Sequence, residues 1–319
     1  MTEPSPRTPD VLVLGAGGLL GEAWMSAVLA GLDEAEGFDS CHCNLYIGTS
    51  AGSIVAASLV AGLRPGSGLG RLPEQPGVVL SPDSGDGQTP LRQALAAAAG
   101  LGSSVAAPLA SLALSSTARG GELVRRATLR RIPPGRRSLD DLARRVERGG
   151  ARWDGRLRVA VVELETGRRV VLGAAGTPRL PVAVAVQASC AIPGVFRPVR
   201  AGGRTYVDGG AWSPTNMDAA EVKRGDRVLC LNPSGSLRPR IGDPAGAMGP
   251  MSRAVAATEA LVLKRRGASV TTINPDEATL AVMGANLMDP RPRQAVIETG
   301  LAQGRRLALR GARTDSNAP

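Results

Sequence analysis

Ser50 is the residue around which chemistry in this chain can be built. It stands in Gly48-Thr49-Ser50-Ala51-Gly52, a G-x-S-x-G pentapeptide. The apolar run Leu45-Tyr46-Ile47 precedes it, and a small-residue helical pattern, Ser53-Ile54-Val55-Ala56, follows. Strand, tight turn and helix in that order predict a nucleophile elbow, which projects a serine hydroxyl from the top of a sheet. Gly48 and Gly52 leave room where strand and helix nearly touch. The helix points free N–H groups at the site, where negative charge develops during acyl transfer. The competing reading is a glycine-rich turn that happens to hold a serine.

A serine nucleophile needs a base, and the sequence restricts the choice. The chain has 1 histidine, His42, and it precedes the nucleophile strand. That places it near the opposite end of the sheet, and nothing downstream can complete a Ser-His-Asp triad. Asp208 is the candidate that remains. It ends the strand pattern Arg204-Thr205-Tyr206-Val207 and is followed by Gly209-Gly210. In a parallel sheet the C-terminal end of that strand lies on the same edge as the elbow, where ligands collect. A desolvated carboxylate there takes the hydroxyl proton directly. Taken alone, Asp-Gly-Gly reads more simply as a turn with a capping aspartate.

A second glycine motif opens the chain. Val11-Leu12-Val13-Leu14 has the pattern of a buried strand and runs into Gly15-Ala16-Gly17-Gly18-Leu19-Leu20-Gly21, with a helix predicted from Glu22 to about Leu32. Such a loop at a helix N-terminus is an anion cradle of backbone N–H groups. Dinucleotide binding through G-x-G-x-x-G is disfavoured, because Leu20 holds the third glycine position. An oxyanion hole serving Ser50 is the stronger reading.

The elements that must position these groups follow in order. Residues 64–90 are dense in Gly, Pro, Ser and Asp and predict a flexible loop. From Gln93 to Ala118 no residue is charged, and soluble helices, a lid among the options, are expected there rather than a membrane span. The arginine-rich stretch 119–148 is amphipathic and predicts a solvated helical face, with membrane-surface contact as the sharper alternative. Leu157–Leu164 and Arg168–Leu172 predict a strand pair around Glu165-Thr166-Gly167. A helix is expected over Pro181 to Ala188, strands at Arg227–Leu231 and Ser269–Ile273, and helices near 251–265, 276–286 and 292–310. This alternation implies a mostly parallel sheet covered on both faces. The chain reads as a single domain over 1–319, with a disordered leader at 1–9 and a flexible tail at 312–319.

Bulk composition narrows the function classes. The 319 residues are 43% hydrophobic, 21% charged and 2% aromatic, with a net charge of +10. This is a globular chain with an arginine-rich surface. The charge suits anionic membrane surfaces or acidic substrates. Nucleic acid is excluded as a partner, since few aromatics are available for stacking and no recognition motif occurs. Cys41-His42-Cys43 invites a metal, but Cys190 and Cys230 lack ligand spacing, so incidental thiols are expected and no metal site. The opening MTEPSPRTPD lacks a basic region followed by an apolar run, so a cytoplasmic location is expected.

Four motifs together resemble the patatin-like phospholipases, serine lipid acyl hydrolases that use a Ser-Asp dyad. They are Ala16–Gly21, Gly48–Gly52, Ala188-Ser189-Cys190-Ala191-Ile192-Pro193-Gly194-Val195-Phe196, and Asp208-Gly209-Gly210 followed by Ser213-Pro214-Thr215-Asn216. The resemblance covers about 11 to 220. It implies a three-layer α/β/α fold, Ser50 as nucleophile, Asp208 as base, and the N–H groups of Gly17 and Gly18 as oxyanion donors. It implies lipid or acyl ester substrates, a covalent acyl-serine, and no cofactor. Two positions depart from the family's G-G-G-x-[KR]-G loop. Ala16 replaces the first glycine and Leu20 the basic residue, which bears on phospholipid preference more than on hydrolysis. The alternative of another class is a catalytically impaired regulatory or membrane-docking protein. Retention of Ser50, Asp208, Gly17 and Gly18 argues against it.

Overall fold

Four consecutive apolar residues with no alternation mark β1 (Val11–Leu14) as a strand buried on both faces, and all four are buried. The computed structural model describes residues 7–68, 119–236, 248–284 and 286–315. The expectations for 1–6, for most of 64–90, for the uncharged stretch 93–118 and for 316–319 lie outside the described residues.

From β1 the chain enters α1 (Gly18–Leu32), then β2 (Leu45–Thr49) and α2 (Ala51–Val60). α1 starts four residues before the expected Glu22, because Gly17 already caps it. Past the undescribed segment come α3 (Arg119–Arg131) and α4 (Asp140–Arg148), interrupted by Pro133-Pro134-Gly135. Next are β3 (Leu157–Glu163), β4 (Arg169–Leu172), α5 (Val182–Ser189), β5 (Val199–Ala201) and β6 (Arg204–Asp208). The remainder is β7 (Arg227–Leu231), α6 (Met248–Arg265), β8 (Ser269–Ile273), α7 (Glu277–Met283) and α8 (Arg293–Asp315). Three-residue β5 was not predicted, being too short to show alternation. α8 runs to Asp315, five residues beyond the expected 310 and into the expected tail.

The sheet has eight strands. β3, β2, β1, β7 and β8 lie side by side and parallel. β4 and β6 are antiparallel to β3, and β5 is antiparallel to β6. Helices cover both faces. Leu12, Leu14 and Tyr46 pack with the buried residues of α1, α2 and α5. Val11, Val13, Ile47, Val228 and Cys230 pack on Ala256, Ala260 and Leu263 of α6. α3 covers β3 and β6 on that second face through Leu129, Val162, Val207 and Trp212. The result is a three-layer α/β/α fold. Among the described residues no helix is long and apolar enough to cross a membrane.

Contrary to expectation, Asp208 does not end a parallel strand, because β6 runs against β3. In a strand, alternate residues direct their N–H and C=O groups to opposite edges. Arg156 O accepts from Tyr46 N, and Leu164 N donates to Thr205 O, while Glu163 N donates to Arg168 O. The even-numbered residues therefore face β2 and then β6, and the odd-numbered ones face β4. β2 pairs with β3 up to Thr49↔Ala160, and β6 pairs from Val161↔Asp208 onward. The two strands share one edge of β3 and meet end to end. Asp208 reaches the elbow because β6 descends to it.

Gly52 fixes the approach of α2 to β1. A Cβ at this position would lie 1.9 Å from Leu14 O and 2.9 Å from Gly15 O. Gly52→Ala should therefore force the backbones apart and cost about 3 kcal/mol or more of stability, the upper end for overpacking. Denaturant unfolding measures this, and a loss below about 1 kcal/mol would show that the contact is soft.

Candidate active site

Ser50 sits at φ 52° and ψ −123°, a left-handed conformation that non-glycine residues avoid. Holding it there costs on the order of 1–3 kcal/mol, so its surroundings must impose it. They do so from three sides. Ser50 N donates to Ser189 Oγ at 2.9 Å, and Ser189 Oγ donates to Ala160 O at 2.7 Å. Ser50 O accepts from Ser53 N at 2.8 Å and Ser53 Oγ at 2.7 Å. Gly48 leaves no room for a side chain, since its Cβ would fall 2.5 Å from Ser53 Cα. Thr49 and Ala51 flank the serine and are both buried.

The Ser50 hydroxyl donates to Asp208 Oδ2 at 2.7 Å. Both residues are buried, at 5% relative exposure each. Asp208 Oδ1 accepts from Gly210 N at 2.6 Å, and Asp208 N donates to Ala191 O at 3.0 Å. No cation pairs with the carboxylate among the described residues. Burial raises its pKa from 3.8 to about 6, against the smaller lowering effect of the bonds from Ser50 and Gly210. The group is therefore a stronger base than an ordinary aspartate and still mostly ionised near neutrality.

The glycine loop lies against this pair. Gly15 N donates to Leu231 O and Ala16 N to Pro214 O. A Cβ on Gly210 would lie 3.6 Å from that of Ala16. The N–H groups of Gly17, Gly18 and Leu19 donate to no acceptor among the described residues. Gly18 has φ 57°, and a Cβ there would strike Met288 Sδ at 2.8 Å. Gly17 caps α1 and Ser50 caps α2, and the loop and the elbow touch through Gly52. Two helix N-termini with unspent donors thus favour an anion in the same region. Leu20, where a basic residue was expected by resemblance, is fully buried, and its N–H is taken by Leu287 O at 3.0 Å.

His42 is elsewhere. It closes a turn before β2, its side chain is 76% exposed, and it pairs with Asp39 at 2.9 Å. Cys41, Cys43, Cys190 and Cys230 are free and buried, with Cys43 pushed up to about 12 by burial.

The family model for patatin-like phospholipases matches residues 12–221. The chain belongs to the patatin-like phospholipase family. The family is one of lipid acyl hydrolases, and the match spans the glycine loop, the elbow and the Asp208 segment. No curated protein matches the sequence. Among solved structures the chain is similar to VipD from Legionella pneumophila, at 16% identity and TM-score 0.45, over 94% of this chain and 66% of that one. It is also similar to the type III effector protein ExoU, at 17% identity and TM-score 0.38, over 96% of this chain and 54% of that one. A complex of full-length SpcU with full-length ExoU from the type III secretion system of Pseudomonas aeruginosa gives 21% identity and TM-score 0.30, over 83% and 53%. The chain thus spans between about half and two thirds of those proteins.

Sequence reasoning missed several residues that shape this family member's site. Ser189 and Asn216 stood inside recognised motifs, yet only their contacts reveal what they do. Asn216 Nδ2 donates to Thr49 Oγ1 at 3.1 Å, Gly209 O at 3.3 Å and Ser213 O at 2.7 Å. Leu287 and Met288 gave no signal at all, since they lie outside every motif.

The raised Asp208 pKa has a consequence for stability. Between about 3.8 and about 6 the folded chain holds a proton that the unfolded chain has lost. This group's contribution is therefore most favourable below that window and declines as pH rises through it. Asp208→Asn, which keeps the shape without the charge, should raise stability near neutral pH by up to about 3 kcal/mol. Thermal unfolding of both proteins at acid and neutral pH checks it. A lower Tm for the variant near pH 7 would contradict the buried-charge account.

Proposed function

We propose that this chain is a serine lipid acyl hydrolase working through a Ser50–Asp208 dyad. The 2.7 Å hydrogen bond from Ser50 Oγ to Asp208 Oδ2 is the observation that carries the reading. As the Ser50 oxygen attacks an ester carbonyl, its proton passes to Oδ2. The carbonyl oxygen becomes an oxyanion, met by the N–H groups of Gly17 and Gly18 at the N-terminus of α1. Collapse expels the alcohol, which takes the proton from Asp208, and leaves an acyl ester on Ser50. Water then gives a proton to Asp208 and attacks the acyl carbon. The second collapse returns the proton to Ser50 and releases the fatty acid. One carboxylate thus serves as base and acid in turn, and no metal or cofactor enters. An acid such as Asp208, shifted toward neutrality, suits both roles better than one titrating near 4.

Kinetics with a short-chain chromogenic ester test the reading. Ser50→Ala and Asp208→Asn should each remove nearly all turnover, while His42→Ala keeps it. Residues that act as a unit give non-additive losses, so the double variant should be little worse than either single one. The wild-type kcat/KM should fall tenfold per pH unit below about 6 as Asp208 gains its proton. A fluorophosphonate probe should label wild type and not Ser50→Ala. A folded Asp208→Asn enzyme with near-normal turnover would refute the dyad, and an unlabelled wild type would favour the non-catalytic alternative.

We further propose a cytoplasmic protein that meets its substrate at an anionic membrane surface. Support comes from the +10 charge and from the α3–α4 segment, where Arg130, Arg131, Arg136 and Arg148 are exposed, as is Leu123. Co-sedimentation should favour anionic over neutral vesicles and weaken with salt, as the Debye length falls to about 8 Å at physiological ionic strength. Equal binding to both vesicle types would refute this.

A further inference from the structure

One segment touches every part of the site, and none of its members reacts. It is the loop 213–217, which follows the Asp208 turn. Pro214 O accepts from Ala16 N of the glycine loop at 2.8 Å. Asn216 Nδ2 reaches Thr49 of the elbow and Gly209 beside Asp208. Thr215 O accepts from Thr49 Oγ1 at 3.4 Å. A displacement of this loop therefore shifts the oxyanion donors, the nucleophile turn and the base relative to one another.

The loop is not self-supporting. Asn216 has φ 49° and ψ 29°, the left-handed conformation that asparagine adopts more readily than other side chains but that still costs more than an ordinary turn. Inside the loop, Ser213 Oγ accepts from Thr215 N at 3.2 Å and Asn216 N at 3.1 Å. From outside, one oxygen of Glu259 completes the support. Glu259 Oε2 accepts from Met217 N at 2.8 Å and from the Thr215 hydroxyl. Glu259 lies on α6, in the layer across the sheet from α1 and α2, and it is buried.

A buried carboxylate is a poor choice if α6 needs only to pack. Burial and the neighbouring Asp218 both raise its pKa, and a Leu or Met there would avoid that penalty. Asp218 is itself held by Nη1 and Nη2 of Arg169, so that guanidinium is engaged by Asp218 rather than by Glu259. What the carboxylate offers and an apolar side chain does not is hydrogen bonding to this loop, including Thr215 and Met217 on either side of Asn216.

We propose that Glu259 is a positioning residue for the reaction: by holding Thr215 and Met217 it fixes Asn216, and through the 213–217 loop it sets the geometry of the glycine loop, elbow and Asp208. The inference rests on the dyad reading and extends it to a helix outside the matched residues 12–221.

The test separates positioning from mere stability. Glu259→Ala should lower kcat by about 10²-fold, the cost of a displacement near 1 Å, with KM changed less than about threefold. Glu259→Gln should restore kcat to within about threefold of wild type, because the amide oxygen can take the place of Oε2 and accept from both Met217 N and the Thr215 hydroxyl. Asp208→Asn is run alongside. If it is folded and active, the dyad reading fails, and the proposal falls with it. If it is inactive while folded Glu259→Ala keeps wild-type kcat, the positioning role alone is overturned. Should Glu259→Ala not fold, Thr215→Val removes the bond from the Thr215 hydroxyl alone. A folded Thr215→Val enzyme should then lose several-fold in kcat at unchanged KM, and wild-type kcat would overturn the proposal.

Discussion

The structure depends on two strands ending against each other along one edge of β3. β2 stops at Thr49 and β6 stops at Asp208, so the residues just past each end occupy the gap between them. At such a junction the ladder is broken, and backbone groups of β3 lose their partners. Ser189 repairs part of the break by donating to Ala160 O and accepting from Ser50 N. Gly209 lets the chain turn there, since a Cβ on it would lie 2.3 Å from Ala160 O. A uniform parallel sheet has no such gap, and it would keep the aspartate a strand's width from the serine.

Burial at that junction sets the electrostatics. With a hydroxyl and one backbone N–H as its hydrogen-bond donors among the described residues, the Asp208 carboxylate is stabilised less than water would stabilise it. Its pKa of about 6 approaches the ordinary histidine value near 6.5. The fold thereby gives this carboxylate a proton affinity close to that of an imidazole. The same desolvation destabilises the native state, and the surrounding packing of α1, α2 and α5 has to exceed it.

The site also draws on parts of the chain that no motif marks. Leu287 holds the N–H of Leu20, and Met288 closes over Gly18. Glu259 supports the 213–217 loop from the opposite layer. These contacts tie residues beyond 221 to groups that lie within the family match.

By itself the sequence determined the elements and the reactive types. Four apolar residues made β1 a buried strand, Gly48 and Gly52 made the serine turn legible, and a lone misplaced histidine left Asp208 as the candidate base. Those signals are local, because periodicity and turn chemistry act over a few residues. The direction of β6 was not legible, since an apolar strand reads alike in either direction. Asp208 therefore does meet Ser50, but from an antiparallel strand and not from the parallel one expected. Nor did the sequence distinguish Ser189, Asn216 and Glu259 from ordinary polar residues. Their importance comes from which unpaired groups they meet, and only the packing of separated segments determines that.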